Sequence, residues 1–231
     1  MSPWSQQGFT EQLRQVGQRH YHDQHPFHLR MNSGELTREE VQCWVANRFY
    51  YQKSIPIKDA LLLSRCPVRE VRRHWVQRVI DHDGTDSEPG GIEKWLRLGE
   101  GVGLSRDDLE HDRLLLQAVR YAVDAYVHFV ATHSWIEGVA SSLTELFAPR
   151  LMKHRLSAFE EHYSWIDPES LTYFRSRPPL ATRDSEHGLA IVHQYCETLD
   201  QQKRAVAALE FKCDVLWTQL DAIQHNGARL P

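Results

Sequence analysis

The sequence predicts an all-α fold, a single helical domain over residues 1–231 built as an irregular bundle of about seven helices. Three observations carry this reading. Apolar residues recur at three- and four-residue spacing along almost the whole 231-residue chain. No stretch shows the strict alternation of a half-buried strand. The C-terminal part carries a heptad seam.

The elements follow in order. Phe9, Leu13 and Val16 start a first amphipathic segment. Thr37 and Glu40 have the spacing of a capping box, which opens a second helix with Val41, Trp44, Val45 and Phe49 on its apolar face. Pro56 sits where a first helical turn tolerates proline, so a separate short helix is expected from there through Leu63. Val71, Trp75 and Val79 mark a fourth helix ending at the DHDG of 81–84, and DGTDSEPGG at 83–91 is the clearest loop in the chain. Trp95 and Leu96 lie on a short helix broken by Gly99, Gly101 and Gly103. Ser105 with Asp108 reads as another N-cap. Two helices are expected from about Leu114 to His133 and from Trp135 to Phe147, with Pro149 kinking or ending the second. Pro168, Pro178 and Pro179 predict irregular structure over 163–183. From Glu186 to about Gln224 one long helix is expected. In it Val192, Leu199, Val206, Cys213 and Leu220 repeat every seven residues, with Tyr195, Gln202, Leu209, Leu216 and Ile223 three behind each. A seam of this length suggests a bundle spine or a dimer interface.

Composition excludes several classes. Lys and Arg number 27 against 31 Asp and Glu, a formal net charge of −4, which argues against a nucleic-acid binder. Apolar runs fall far short of the ~20 residues of a membrane span. The opening MSPWSQQGFTEQL shows neither the basic nor the apolar region of a signal peptide. The four cysteines form no CxxC pair, and reduced thiols in a cytoplasmic protein fit best.

Specificity begins where ionisable residues fall on apolar stripes. The second-helix stripe 41, 44, 45, 48, 49, 52 includes Arg48 and Gln52, and the fourth-helix stripe 71, 75, 78, 79, 82 includes Arg78 and His82. A lone arginine in such a place is commonly a snorkelling edge residue. Two helices that each deliver an arginine with a second polar group suggest instead a cationic cavity for a polyanionic small molecule. His82, between Asp81 and Asp83, suits both a helix C-terminal cap and a general acid/base. By pattern alone Lys58 reads as a surface lysine, Lys212 as an edge salt bridge and Tyr126 as core. A helical di-iron site needs two carboxylate–His pairs. Asp184 with His187 is one loose match, and no second is found. No phosphate loop or dinucleotide fingerprint is present.

The strings WVANRFYYQ (44–52), IPIKDA (55–60), WVQRVIDHDG (75–84), GGIEKWLRLGE (90–100), AVDAY (122–126), SSLTELFAP (141–149), YFRSR (173–177), RDSEHGLA (183–190) and LEFKCDVLW (209–217) closely resemble the pyrroloquinoline quinone synthase family, from about His20 to Asp221. The resemblance implies a haem-oxygenase-like helical fold, a homodimer, and an oxidase without metal or redox cofactor. Such an enzyme closes a ring in a bicyclic, tricarboxylated o-quinone precursor and completes an eight-electron oxidation, with O2 as co-substrate and H2O2 as product. It also implies catalytic roles for His22, His82, Tyr126, Tyr173 and Arg177. Substrate contacts are implied for Tyr21, Arg48, Tyr51, Gln52, Lys58, Arg78, Thr144, Glu145, Arg155 and Lys212. One departure stands out. After TELFAP the family pattern reads x-Ile-His, and that histidine belongs to the oxygen site. Here the string is PRLMKHRL, so Met152 takes its place and His154, two residues on, is expected to face away. Two rival functions keep the same helical architecture: a di-iron oxygenase, and a non-catalytic carrier of the quinone.

Overall fold

The computed structural model describes residues 2–226. Among them the chain is helical, with one isolated bridge between Gly84 and Pro89 in place of any strand. The α-helices are α1 (Gln6–His20), α2 (Pro26–Asn32), α3 (Arg38–Arg65), α4 (Arg69–Asp83), α5 (Gly91–Gly101), α6 (Arg106–Glu110), α7 (Gln117–Thr132), α8 (Trp135–Ser141), α9 (Ala148–His162), α10 (Thr172–Tyr195) and α11 (Leu199–His225). Short 3-10 turns lie at His22–Gln24, Ser142–Leu146 and Pro168–Leu171.

Local chemistry explains the starts and stops. The Thr37–Glu40 capping box forms as its spacing predicts, and Ser134–Glu137 and Thr198–Gln201 make two more. Ser105 is the N-cap residue of α6, but its side chain makes no capping bond. At the end of α4, Gly84 takes φ +84°, a left-handed conformation that suits glycine. A Cβ on Gly90 would come within 2.3 Å of the His82 carbonyl oxygen. The 84–90 loop therefore folds tightly back over the end of α4 and launches α5 beside His82.

Three expectations are corrected. The second and third expected helices are one, because α3 runs through Pro56. An internal proline costs ~3 kcal/mol or more, and here Ser54, Ile55, Pro56, Lys58, Asp59 and Leu62 are all buried around it, so tertiary packing overrides the break. The irregular segment expected over 163–183 is helical from Thr172, and α10 likewise runs through Pro178 and Pro179 with Tyr173, Phe174, Arg177, Ala181 and Asp184 buried. The single long helix expected from 186 to 224 is two, since the chain breaks after Tyr195 and restarts at the Thr198 cap. These changes, with the short α2 and α6, turn about seven helices into eleven among the described residues.

α3 and α11 form the spine. α3 packs on α4, α5, α7 and α11, and α11 packs on α1, α7 and α8. Val192, Leu209, Cys213, Leu216, Leu220 and Ile223 of the heptad seam are buried within the chain itself, so the seam is a bundle spine and is not presented to a second copy. Two apolar clusters result. One surrounds Trp44, Trp95, Phe159 and Phe174, the other Trp75, Leu209 and Leu216, and Tyr51 packs against both. The polar residues singled out in the sequence lie around this junction.

Candidate active site

Helical spacing gathers the site. α3 brings Arg48, Tyr51 and Gln52 onto one face and Lys58 and Asp59 two turns on. α4 brings Arg78 and His82, α10 brings Tyr173, Arg177 and Asp184, and α11 brings Lys212 and Gln219. Tyr126 comes from α7, Thr144 and Glu145 from the 142–146 turn, and Arg155 from α9. Tyr21 and His22 precede α2 and are buried. Every residue named from the resemblance thus lies in or beside one interior cluster. A surface cleft of about 530 Å³, rimmed by Arg14 and Arg150, reaches down to Tyr21 and Phe147 at its edge.

The cluster has two electrostatic halves. In the first, cations and anions are matched. Lys58 Nζ lies 2.6 Å from Asp59 and donates to Ser142 Oγ at 2.7 Å. Asp59 also accepts from Trp75 Nε1 at 2.7 Å and lies 3.5 Å from Arg78 Nε. Arg78 Nη1 is 2.9 Å from Asp184, and its Nη2 is 3.5 Å from Glu145. Arg177 donates to Glu145 at 2.8 Å and to Asp184 at 3.4 Å. Burial opposes the charge on Arg78, but Asp59, Asp184 and Glu145 more than offset it and raise its pKa. Burial likewise opposes charge on Arg177, and Glu145, Tyr173 and Asp184 outweigh it.

In the second half, no carboxylate lies within ion-pair distance of the cations among the described residues. Arg48 stacks 3.9 Å over the Tyr51 ring and reaches Gln219 at 3.4 Å. Lys212 Nζ sits 3.4 Å from the Tyr126 ring centroid and 4.0 Å from that of Tyr51, with no hydrogen-bond acceptor. Arg155 lies 4.8 Å over Trp44 and donates to His28 Nε2 at 2.8 Å, while His28 Nδ1 donates to the His22 carbonyl. Burial and then Arg48 push Arg155 down to about 9. Burial, Arg48 and Lys58 push Lys212 well below the usual lysine range. A low-dielectric site holding unmatched cations is poised for an anion.

His82 stands at the edge of the first half. Its Nδ1 donates to the Arg78 carbonyl at 2.9 Å, which leaves Nε2 bare and without a partner. Burial and then Arg177 lower its pKa to about 4, so the helix dipole does not keep it charged, and at neutral pH Nε2 is a free base. Tyr173 donates its hydroxyl to Gln52 Oε1 at 3.0 Å. His22 is held neutral by burial and then by His28 and Arg48, and its Nδ1 has no partner. Met152 is buried with its sulfur 3.9 Å from Arg155 Nη1, while His154 is exposed. Met152 thus faces the interior and His154 solvent, as the ~200° between residues two apart on a helix leads one to expect.

Sequence reading missed Asp59, His28 and Gln219 and noted Asp184 only as a loose, unmatched half of a di-iron pattern. Asp59 carried the same signal as Arg78, a charge on the buried stripe of Ile55 and Leu62. The Asp184–His187 pair does not act as half a di-iron site, because the Asp184 carboxylate is taken up by Arg78, Arg177 and Arg183. Among the described residues no three His, Cys, Asp or Glu side chains converge in a way that could hold a metal ion. No described helix is long and apolar enough to cross a membrane.

Comparison with known proteins agrees with this architecture. A structure from Shewanella denitrificans with a haem-oxygenase-like fold superposes over 96% of this chain and 91% of its own, with a TM-score of 0.74 at 14% identity. A TenA homologue from Pseudomonas syringae pv. tomato superposes with a TM-score of 0.77 at 12% identity, covering 95% of this chain and 96% of its own. The pyrroloquinoline-quinone synthase of Klebsiella pneumoniae is 54% identical over 95% of this chain and 87% of its own. That of Cronobacter sakazakii is 56% identical over 88% and 81%. The model of the TENA/THI-4/PQQC family matches residues 10–222. With a shared haem-oxygenase-like fold, a family match across nearly its whole length and more than half its residues identical to these enzymes, the chain belongs to the TENA/THI-4/PQQC family and, within it, to the pyrroloquinoline-quinone synthases.

Proposed function

We propose that this protein performs the final oxidation of pyrroloquinoline quinone biosynthesis, as one helical catalytic domain in the cytoplasm. It closes a further ring in a bicyclic, tricarboxylated precursor and removes eight electrons. O2 is the electron acceptor and H2O2 is released. The observation that carries this reading is a set of three cations without carboxylate partners among the described residues, half-buried Arg48 and buried Arg155 and Lys212, in the same interior cluster as a neutral His82 with a bare Nε2.

The residues divide the work. The unmatched cations take substrate carboxylates and fix the ring for closure. Anion binding beside His82 raises its basicity, so that Nε2 can accept a proton from carbon or nitrogen. Tyr173, with Gln52, and Arg177 offer hydrogen bonds to reduced oxygen. The electron-rich quinol supplies the electrons, and no metal or redox cofactor takes part. A homodimer fits the exposed Val76 and Ile80, one turn apart on the outer face of α4, better than it fits the buried seam.

The test is aerobic incubation of the chelator-treated protein with the precursor, following quinone absorbance and peroxide. Conversion with peroxide release is expected. Activity that needs added iron would hand the reaction to a di-iron oxygenase, and binding without turnover would make the protein a carrier.

A further inference from the structure

We infer that Asp184 is a positioning residue that joins Arg78 and Arg177 into one preformed anion clamp, an inference that rests on the function proposed above. Both arginines approach the same Oδ2 of Asp184, at 2.9 and 3.4 Å, and the same Oε1 of Glu145, at 3.5 and 2.8 Å. Two guanidinium groups and two carboxylates thus close a ring. Like charges held this close in a buried site repel unless an anion stands between them.

The two carboxylates of the ring are not equivalent. Glu145 sits on the 3-10 turn of 142–146, and 16% of its side chain is exposed, whereas Asp184 lies inside α10 with 3% exposed. Asp184 is also fixed from outside. Arg183 lies 2.7 Å from its Oδ1 and also pairs with Asp81, the neighbour of His82. With Oδ1 taken by Arg183, the rotation of the carboxylate is set and Oδ2 faces the two inner arginines. A substrate carboxylate can replace Glu145 on Arg78 and Arg177, and Asp184 keeps the two guanidinium groups in register while it does so.

The test separates geometry from charge, with pyrroloquinoline quinone, a tricarboxylate, as the titrant well below the melting temperature. Asp184→Asn removes one negative charge, so a purely electrostatic role would tighten binding of the trianion. A positioning role weakens it, by roughly tenfold or more as the two charge-assisted contacts lose their alignment. Asp184→Glu keeps the charge and displaces the carboxylate by about one carbon–carbon bond, roughly 1.5 Å. Weakening of about tenfold is expected there too, and it remains readable if the asparagine variant does not fold. A role in folding alone would lower the melting temperature and leave the folded protein with wild-type affinity. Tighter binding by Asp184→Asn, or wild-type affinity in Asp184→Glu, overturns the inference. Wild-type protein that binds no quinone removes the proposed function and this inference together, whereas unaltered variants beside an active wild type remove this inference alone.

Discussion

The ammonium group of Lys212 lies 3.4 Å from the centroid of the Tyr126 ring, with no hydrogen-bond acceptor among the described residues. A desolvated cation–π contact contributes about 2 kcal/mol, less than the several kcal/mol that burial of an ion costs. Lys212 therefore costs stability in the ligand-free protein. Lys212→Met should raise the melting temperature by a few degrees, at about 2–4 °C per kcal/mol for a chain of this size, yet weaken quinone binding by roughly 10–100-fold. A lowered melting temperature with unchanged affinity would show that the lysine is a structural cation.

The two electrostatic halves give Arg78 and Arg48 opposite profiles. Arg78 neutralises Asp59 and Asp184, both buried. Arg78→Ala removes the buried cation the two share, leaving Asp59 to Lys58 and Asp184 to Arg177 and Arg183, and should cost about 3 kcal/mol of stability. Arg48 loses one 3.4 Å bond to Gln219 and its stacking on Tyr51, so Arg48→Ala should cost about 1 kcal/mol. Its affinity for the quinone should nonetheless fall by about 10–150-fold. Denaturant melts paired with titrations check both, and the reverse ranking of stability would sink the division.

His82 makes stability fall with acid. Its folded pKa of about 4 lies below the unfolded value of about 6.5. Above pH 6.5 both states are neutral there and nothing changes. Between about 6.5 and 4 the unfolded chain binds the proton and the folded one does not, so stability is lost as pH falls across that window, by roughly 3 kcal/mol from this residue. His22 and His28, also lowered by burial, add in the same direction. His82→Ala should flatten the loss between pH 7 and 4.5 in thermal melts. The same variant should bind quinone but convert precursor about 10²–10⁴-fold more slowly in a single turnover. A near-wild-type rate would leave His82 a structural histidine.

What the sequence disclosed follows from which forces are local. The Thr37–Glu40 capping box, the 83–91 loop and the stripes bearing Arg48, Gln52, Arg78 and His82 are local patterns that appear in the structure, whereas the Ser105 cap forms no side-chain bond. The course of the chain through Pro56, Pro178 and Pro179 is decided by packing of distant helices, which no window of sequence contains. The same limit hid Asp184. Its three arginine partners come from α4 and α10, and only the fold shows that they converge. Lys58 read as a surface lysine and Lys212 as an edge salt bridge because a buried lysine needs no apolar signature of its own. Only the resemblance brought them into the site.

The departure at Met152 yields the last expectation. Its thioether faces Arg155 at 3.9 Å, a weak acceptor beside a guanidinium that no carboxylate among the described residues neutralises. A thioether donates no hydrogen bond, so it cannot stabilise reduced oxygen as an imidazole would. On the function proposed above, Tyr173 and Arg177 are then expected to carry the oxygen chemistry without a third donor. His154 is exposed, outside the buried cluster that holds Met152, and His154→Ala should be nearly silent. Met152→His would place an imidazole where Arg155 can donate to it, the same arrangement Arg155 already has with His28. That variant should keep the oxidation intact or speed it. The readout is oxygen-dependent decay of the quinol intermediate in stopped flow. A large loss in His154→Ala would mean that α9 turns in solution to bring His154 to the site, and a dead Met152→His would mean that the pocket has been reshaped around sulfur.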